Sequence, residues 1–429
     1  MYLYQDNPLM KKRAFLKNVT TAAIASSTIF QTLEYWLETV QHLTPKEVAQ
    51  DEKFWLGIRS GYRVKPDYIN LENGFYCLIP EETLEKYIQH IREVNYQGSW
   101  YMRTVQLDNK RAMATKLANL INANDDEVII TRNTTESLDT IIGGFPWKEG
   151  DEAVMADQDY GAMLQMFKQV ADRFGVVNKR VSIPNHPKSD SKIVELYANA
   201  ITPKTKLMMV CHMVNITGQI LPIRKICDMA HSKGVEVMVD GAHCTGHIPV
   251  DVKALDCDYY GSSLHKWLSV PLGSGLLYVR KNKIAQIWPR FGDGRPADDI
   301  RRLNHTGTHP VATDLAVGNA IEYLEKIGLE NKTARLRYLQ NYWTDQVRSL
   351  PHIQVNTPKE RHRSCGIANV GIKGMKPSDM AKTLLDKYRI WTVAINGAGG
   401  VYGCRICPNI FTTLKELDVF VAALKEMGN

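Results

Sequence analysis

The sequence predicts an α/β fold: a large domain on a mostly parallel, seven-stranded-type sheet flanked by helices, then a smaller α+β C-terminal domain. Three observations carry that expectation. From Glu127 onward, short apolar runs alternate with stretches of helical spacing, the order that gives parallel strands joined by crossover helices. Val235–Val239, apolar but for Glu236 and rich in β-branched residues, reads as a strand buried on both faces. A chain of 429 residues with 44% hydrophobic and 23% charged residues can bury a large core and suits two domains rather than three.

In chain order, residues 1–50 read as an N-terminal tail and 51–80 as an arm. Residues 81–310 read as the large domain and 311–429 as the small one. The tail holds Lys11-Lys12-Arg13 ahead of a weakly apolar run, Val19–Phe30, which resembles a twin-arginine export signal with one arginine replaced by lysine. An amphipathic helix on a cytoplasmic enzyme fits equally, so the compartment, cytoplasmic or periplasmic, stays open, as does a start at Met1 or Met10. In the arm, Tyr68–Leu71 reads as a strand running into an Asn73-Gly74 turn. Glu81–Val94 and Lys110–Ile121 have helical spacing. Val128–Ile130, Glu152–Met155 and Lys206–Cys211 read as strands, followed by helices from Glu136, from Gly161 and over Arg224–Lys233. Asp258–Ser263 and Leu276–Val279 read as further strands. Ala320–Leu350 reads as a long helical stretch.

The net charge of +7 is modest for this length. No long basic run interleaved with aromatics points to nucleic acid. No apolar stretch of eighteen residues suggests a membrane span. The eight cysteines lack zinc spacing; Cys404-x-x-Cys407 stands alone, so no metal site is expected and most cysteines read as small buried hydrophobes.

Two residues suggest chemistry. Asp240 ends the Val235–Val239 run, where open α/β sheets place ligands. Lys266 follows the Asp258–Ser263 run. A buried acid and an amine at strand ends suit a coenzyme with a basic ring nitrogen and an aldehyde, which describes pyridoxal phosphate (PLP). Either residue alone is more often a turn cap or a solvated lysine. The segment Thr131–Ser137 follows a strand and opens a helix whose free N–H groups suit a phosphate; the same Thr-x-x-Glu is equally a plain capping box.

The pattern Asp240-Gly-Ala-His243 followed by Ser263-x-His265-Lys266 resembles the class V aminotransferases of the fold-type-I PLP enzymes, in the isopenicillin-N-epimerase-like and cysteine-desulfurase-like branch. The resemblance runs from about Phe54 to the C-terminus. It implies coenzyme phosphate on Thr134, Thr135, Ser263 and His265, with Thr308 lent across a homodimer interface so that active sites are shared. It implies Tyr160 stacked on the ring, and Asn215, from His212-x-x-Asn215-x-x-Gly218, together with His243 beside the phenolic oxygen. Arg405 matches the arginine that grips the substrate's α-carboxylate, and Asn73 lies at the site mouth as a substrate contact. Arg59, Tyr101 and Arg103 are further candidates for side-chain recognition, on family position alone. Two departures stand out: Cys407 replaces a serine, and the loop Ile395–Gly400 lacks the cysteine on which desulfurases form a persulfide.

The expected function is therefore a PLP-dependent epimerase or C–S/β-lyase acting at the α-carbon of an amino acid, with Lys266, Asp240, His243 and Tyr160 catalytic. A class V aminotransferase, a desulfurase-like enzyme without the loop cysteine, and a non-catalytic binding protein on the same fold are the alternatives. Epimerisation needs a second acid, for which Tyr160 and His212 are the candidates. The glycine-rich loop Asn396–Gly400 reads as the wall of a roomy pocket or as a tight turn.

Overall fold

The computed structural model describes residues 33–428. The arm contributes β1 (Ile69–Asn70). Seven strands form the main sheet: β2 (Val128–Thr131), β3 (Glu152–Ala156), β4 (Val177–Val181), β5 (Thr205–Cys211), β6 (Glu236–Asp240), β7 (Tyr259–Ser263) and β8 (Gly275–Val279). Their spatial order is β2-β8-β7-β6-β5-β3-β4, and only β8 runs against the rest.

Alternation along the strands divides the core in two. Val128, Ile130, Val237 and Val239 point to one face, into the larger apolar cluster. Ile129, Met155, Met209, Met238 and Leu277 point to the other. Helices cover both faces, so central strands carry apolar residues at consecutive positions, as a doubly covered sheet requires. β4 is different. Its sequence, VNKRV, is only partly buried, and its charges protect the sheet edge from further pairing.

A second sheet of four antiparallel strands has the order β12-β13-β10-β9, from β9 (Ile353–Val355), β10 (Ala368–Ile372), β12 (Val393–Asn396) and β13 (Tyr402–Ile406). It packs with the helices Leu329–Val347, Pro377–Tyr388 and Leu414–Glu426 around its own apolar cluster. The arm is stitched to this region: β1 pairs in parallel with β11 (Ile390–Trp391), and Glu72 bridges to Cys407.

The expected helical stretch over 320–350 is made of two helices, Ala312–Ile327 and Leu329–Val347. Gly328 separates them at φ 84°, a left-handed conformation that glycine adopts without strain. The expected helix from Glu136 starts earlier, at Thr134, because Asn133 is its cap: the Asn133 side chain accepts the Glu136 N–H at 2.8 Å. Among the described residues, no helix is long and apolar enough to cross a membrane. The export-signal-like segment, Lys11–Phe30, lies outside those residues.

Candidate active site

The carboxyl ends of β2, β3, β5, β6 and β7 lie on one edge of the main sheet, because these five strands run in one direction. A cavity of about 210 Å³ opens there, and its lining includes Thr134, Thr135, Tyr160, Asn215, Asp240, His243, Ser263, His265, Lys266 and Arg405. Ten of the twelve sequence-predicted site residues thus meet around one space. Thr308 and Asn73 do not. Thr308 is exposed and borders a different cavity. Asn73 is buried with its amide donating to the Cys407 carbonyl at 2.9 Å, so it braces the arm; its neighbours Gly74 and Phe75 line the cavity instead.

At the centre, Asp240 is buried and its Oδ1 accepts the Ala242 N–H at 3.0 Å. Burial raises the pKa of its carboxyl, against the pull of that bond and of the Lys266 charge. Lys266 is drawn by burial down to about 8, so a larger share of its amine is neutral near pH 7 than for a lysine in water.

His243 connects the lysine to the core. Its Nε2 lies 3.2 Å from Lys266 Nζ, and its Nδ1 accepts the Trp267 indole N–H at 3.2 Å. An indole nitrogen only donates, so Nδ1 carries no proton. Burial holds the ring neutral, which leaves its one proton on Nε2, where it can donate to Lys266 Nζ only while that amine is neutral. Trp267 is itself clamped, stacked on His247 with ring centres 3.8 Å apart. His247 accepts the Gly366 N–H at Nε2, 2.8 Å away, and donates from Nδ1 to the His243 carbonyl at 2.9 Å. Neither Trp267 nor His247 is distinguished by any local sequence signal.

At one end of the cavity, Thr134 Oγ1 and Ser263 Oγ are 2.7 Å apart, and the Thr134 N–H donates to the same Ser263 oxygen at 3.0 Å. His265 gives its Nδ1 proton to the Ser274 carbonyl at 3.2 Å. A further bond from its Nε2 to an anion therefore requires the imidazolium form.

At the other end, Arg405 on β13 is buried against Glu72. Its Nε donates to Glu72 Oε2 at 3.1 Å, Nη2 donates to Oε1, and Nη1 donates to the Asn215 carbonyl at 3.3 Å. Gly74 permits this packing, since a Cβ there would sit 2.8 Å from Cys407 Sγ and 3.4 Å from Arg405 Cζ. Glu72 was not among the expected site residues; its acid lies 333 positions from the arginine it pairs with.

Tyr160 precedes the helix Gly161–Phe174 with its ring half-exposed at the cavity. His212 is not there: it is buried behind the strand ends, with Nδ1 3.1 Å from the Tyr260 hydroxyl and a pKa pushed by burial to about 4. Arg59 is committed to Glu416, Tyr101 is buried and Arg103 is exposed; none lines the cavity.

A neutralisable amine, a buried acid and a hydroxyl-rich helix N-terminus around one cavity fit pyridoxal phosphate, with its aldehyde, ring nitrogen and phosphate. The aminotransferase class-V family model matches residues 77–402, and the chain belongs to that family of PLP-dependent enzymes. Among its relatives, an isopenicillin N epimerase of Streptomyces clavuligerus is 28% identical, over 86% of this chain and 97% of the relative. A probable cysteine desulfurase of Synechocystis is 26% identical, over 83% of this chain and 90% of the relative. In structure, a cysteine desulfurase of Escherichia coli superposes with a TM-score of 0.74 at 25% identity, over 87% of this chain and 98% of that one. A cystine C–S lyase in complex with cysteine persulfide reaches 0.75 at 22% identity, over 85% and 98%.

Proposed function

We propose that the protein acts at the α-carbon of an amino acid, as an epimerase or a C–S/β-lyase. One observation carries this reading: Lys266 and Asp240, from two different strand ends, face one cavity that also holds Arg405 and Tyr160. When bound, PLP supplies a ring that accepts the electron pair left at Cα once its proton is removed. Asp240 would keep the pyridine nitrogen protonated. Lys266 would hold the aldehyde and, once released by the incoming amino acid, take the α-proton; an amine with a pKa near 8 suits a base at neutral pH. His243, with its proton on Nε2, and Asn215 would donate to the phenolic oxygen. Thr134, Thr135, Ser263 and His265 would hold the phosphate, with Thr308 of a second copy completing it in a homodimer. Arg405 would take the α-carboxylate.

A persulfide route is disfavoured on two grounds. The loop Ile395–Gly400 contains no cysteine. The cysteine among the cavity residues, Cys211, is buried and its thiol is pushed well above the ordinary range, away from the reactive thiolate. The isopenicillin N epimerases among the relatives support epimerisation, and elimination, which needs only a leaving group on the substrate and room in the cavity, is kept as the other exit. With His212 turned away, Tyr160 is the remaining candidate for the second acid of an epimerase.

The test is to incubate the purified, PLP-loaded protein with amino acids and cysteine conjugates. Pyruvate identifies elimination, inverted chirality without keto acid identifies epimerisation, and transfer of the amino group to an added keto acid would replace both with a transaminase. Protein that stays colourless with PLP defeats the proposal altogether.

A further inference from the structure

We infer that Glu72 is a positioning residue for substrate: it permanently occupies one edge of Arg405, dictates which edge meets the substrate carboxylate, and tempers how tightly that carboxylate is held. The inference rests on the proposed role of Arg405. A guanidinium has five N–H donors. Glu72 takes two of them, at Nε and Nη2, and the Asn215 carbonyl takes one at Nη1. What remains is one N–H on each terminal nitrogen, and these are the donors left for a substrate carboxylate.

Glu72 has no freedom to leave. Its backbone is bridged to Cys407, two residues beyond Arg405, and its Oε1 also accepts the Phe75 N–H at 3.1 Å. Its side chain is 4% exposed and that of Arg405 8%. Glu72 does not line the cavity, whereas Arg405, Gly74 and Phe75 do. The acid therefore sits behind the arginine and leaves the substrate side open. An arginine already neutralised by a buried acid attracts an incoming anion less than a bare one does, but presents a fixed fork. The arrangement trades affinity for orientation, which favours the chemical step over ground-state binding.

The experiment uses the PLP-loaded protein with L-alanine as probe. Binding is read from the coenzyme's absorbance, and the chemical step from exchange of the Cα hydrogen in D₂O by NMR. Glu72→Gln is expected to bind L-alanine about threefold to tenfold more tightly and to exchange it about tenfold more slowly. Glu72→Asp keeps the charge but shortens the reach; it should bind within about twofold of the parent and still exchange about tenfold more slowly. Weaker binding in Glu72→Gln, tighter binding in Glu72→Asp, or unchanged exchange in both overturns the inference. Arg405→Ala separates the two claims: if L-alanine binds that variant as well as the parent, the carboxylate assignment fails whatever Glu72 does.

Discussion

The two ends of the cavity are built by different physics. The end at Thr134 and Ser263 is neutral: a helix N-terminus, hydroxyls bonded to one another and a histidine, all within a few residues of a strand end. The end at Arg405 is ionic and non-local, with an arginine of β13 fixed by an acid of the arm. The first offers donors that can turn toward an anion as it arrives. The second holds its cation in place beforehand, with a counter-charge already seated. On the proposed assignment, a coenzyme that stays bound would be met by local donors, and a substrate that comes and goes by a preset fork.

Replacing Lys266 should have the largest effect because it belongs to neither end. Lys266→Ala is expected to abolish borohydride-fixable coenzyme and to slow Cα-hydrogen exchange by about 10³-fold or more, while the protein stays folded. Arg405→Ala comes next and should break the symmetry between the ends. Substrate binding should weaken about tenfold to a hundredfold with coenzyme retention unchanged. Leaving Glu72 buried and unpaired should also cost about 3–5 kcal/mol in a denaturant titration. The double variant Glu72→Gln/Arg405→Ala should recover part of that loss; simple additivity would show that the pair is not coupled.

Ser263→Ala tests the neutral end. Coenzyme dissociation should rise about tenfold and substrate KM should stay within about twofold, for the loss of one hydrogen bond to a charged group. If KM moves as much as the coenzyme constant, the two ends are not separable. The smallest effect concerns the centre. Trp267→Phe keeps a ring on His247 and removes the indole donor, so His243 should lose its preference for a proton on Nε2, visible in histidine ¹⁵N shifts. Lys266 gives the pH dependence. Only the neutral amine attacks an aldehyde, so coenzyme uptake by the apoprotein should accelerate as pH rises through about 8. The rise should level off above about 8; a rate that keeps climbing about tenfold per pH unit beyond it would mean that the amine is not drawn down by burial.

Much of this was legible in the chain, for reasons that differ by region. Strand-end residues such as Asp240, Ser263 and Lys266 stand beside apolar runs whose burial on both faces can be read directly, and parallel strands bring their carboxyl ends to one edge. His212 shows where such reading stops. Its spacing to Asn215 places it near the site, yet the turn directs Asn215 into the cavity and the histidine back toward Tyr260. The long helical stretch divides at Gly328, whose positive φ ends one helix and starts the next.

The sequence by itself determined the layered fold, the family and the residues that crowd the Thr134–Ser263 end of the cavity, because each depends on periodicity or on neighbours within a few positions. Tertiary structure alone decided that Glu72 sits on Arg405, that Trp267 sets the proton on His243, and that Gly74 rather than Asn73 faces the cavity. These depend on which atoms approach across distant segments, and a donor or acceptor has no meaning until its partner is in place.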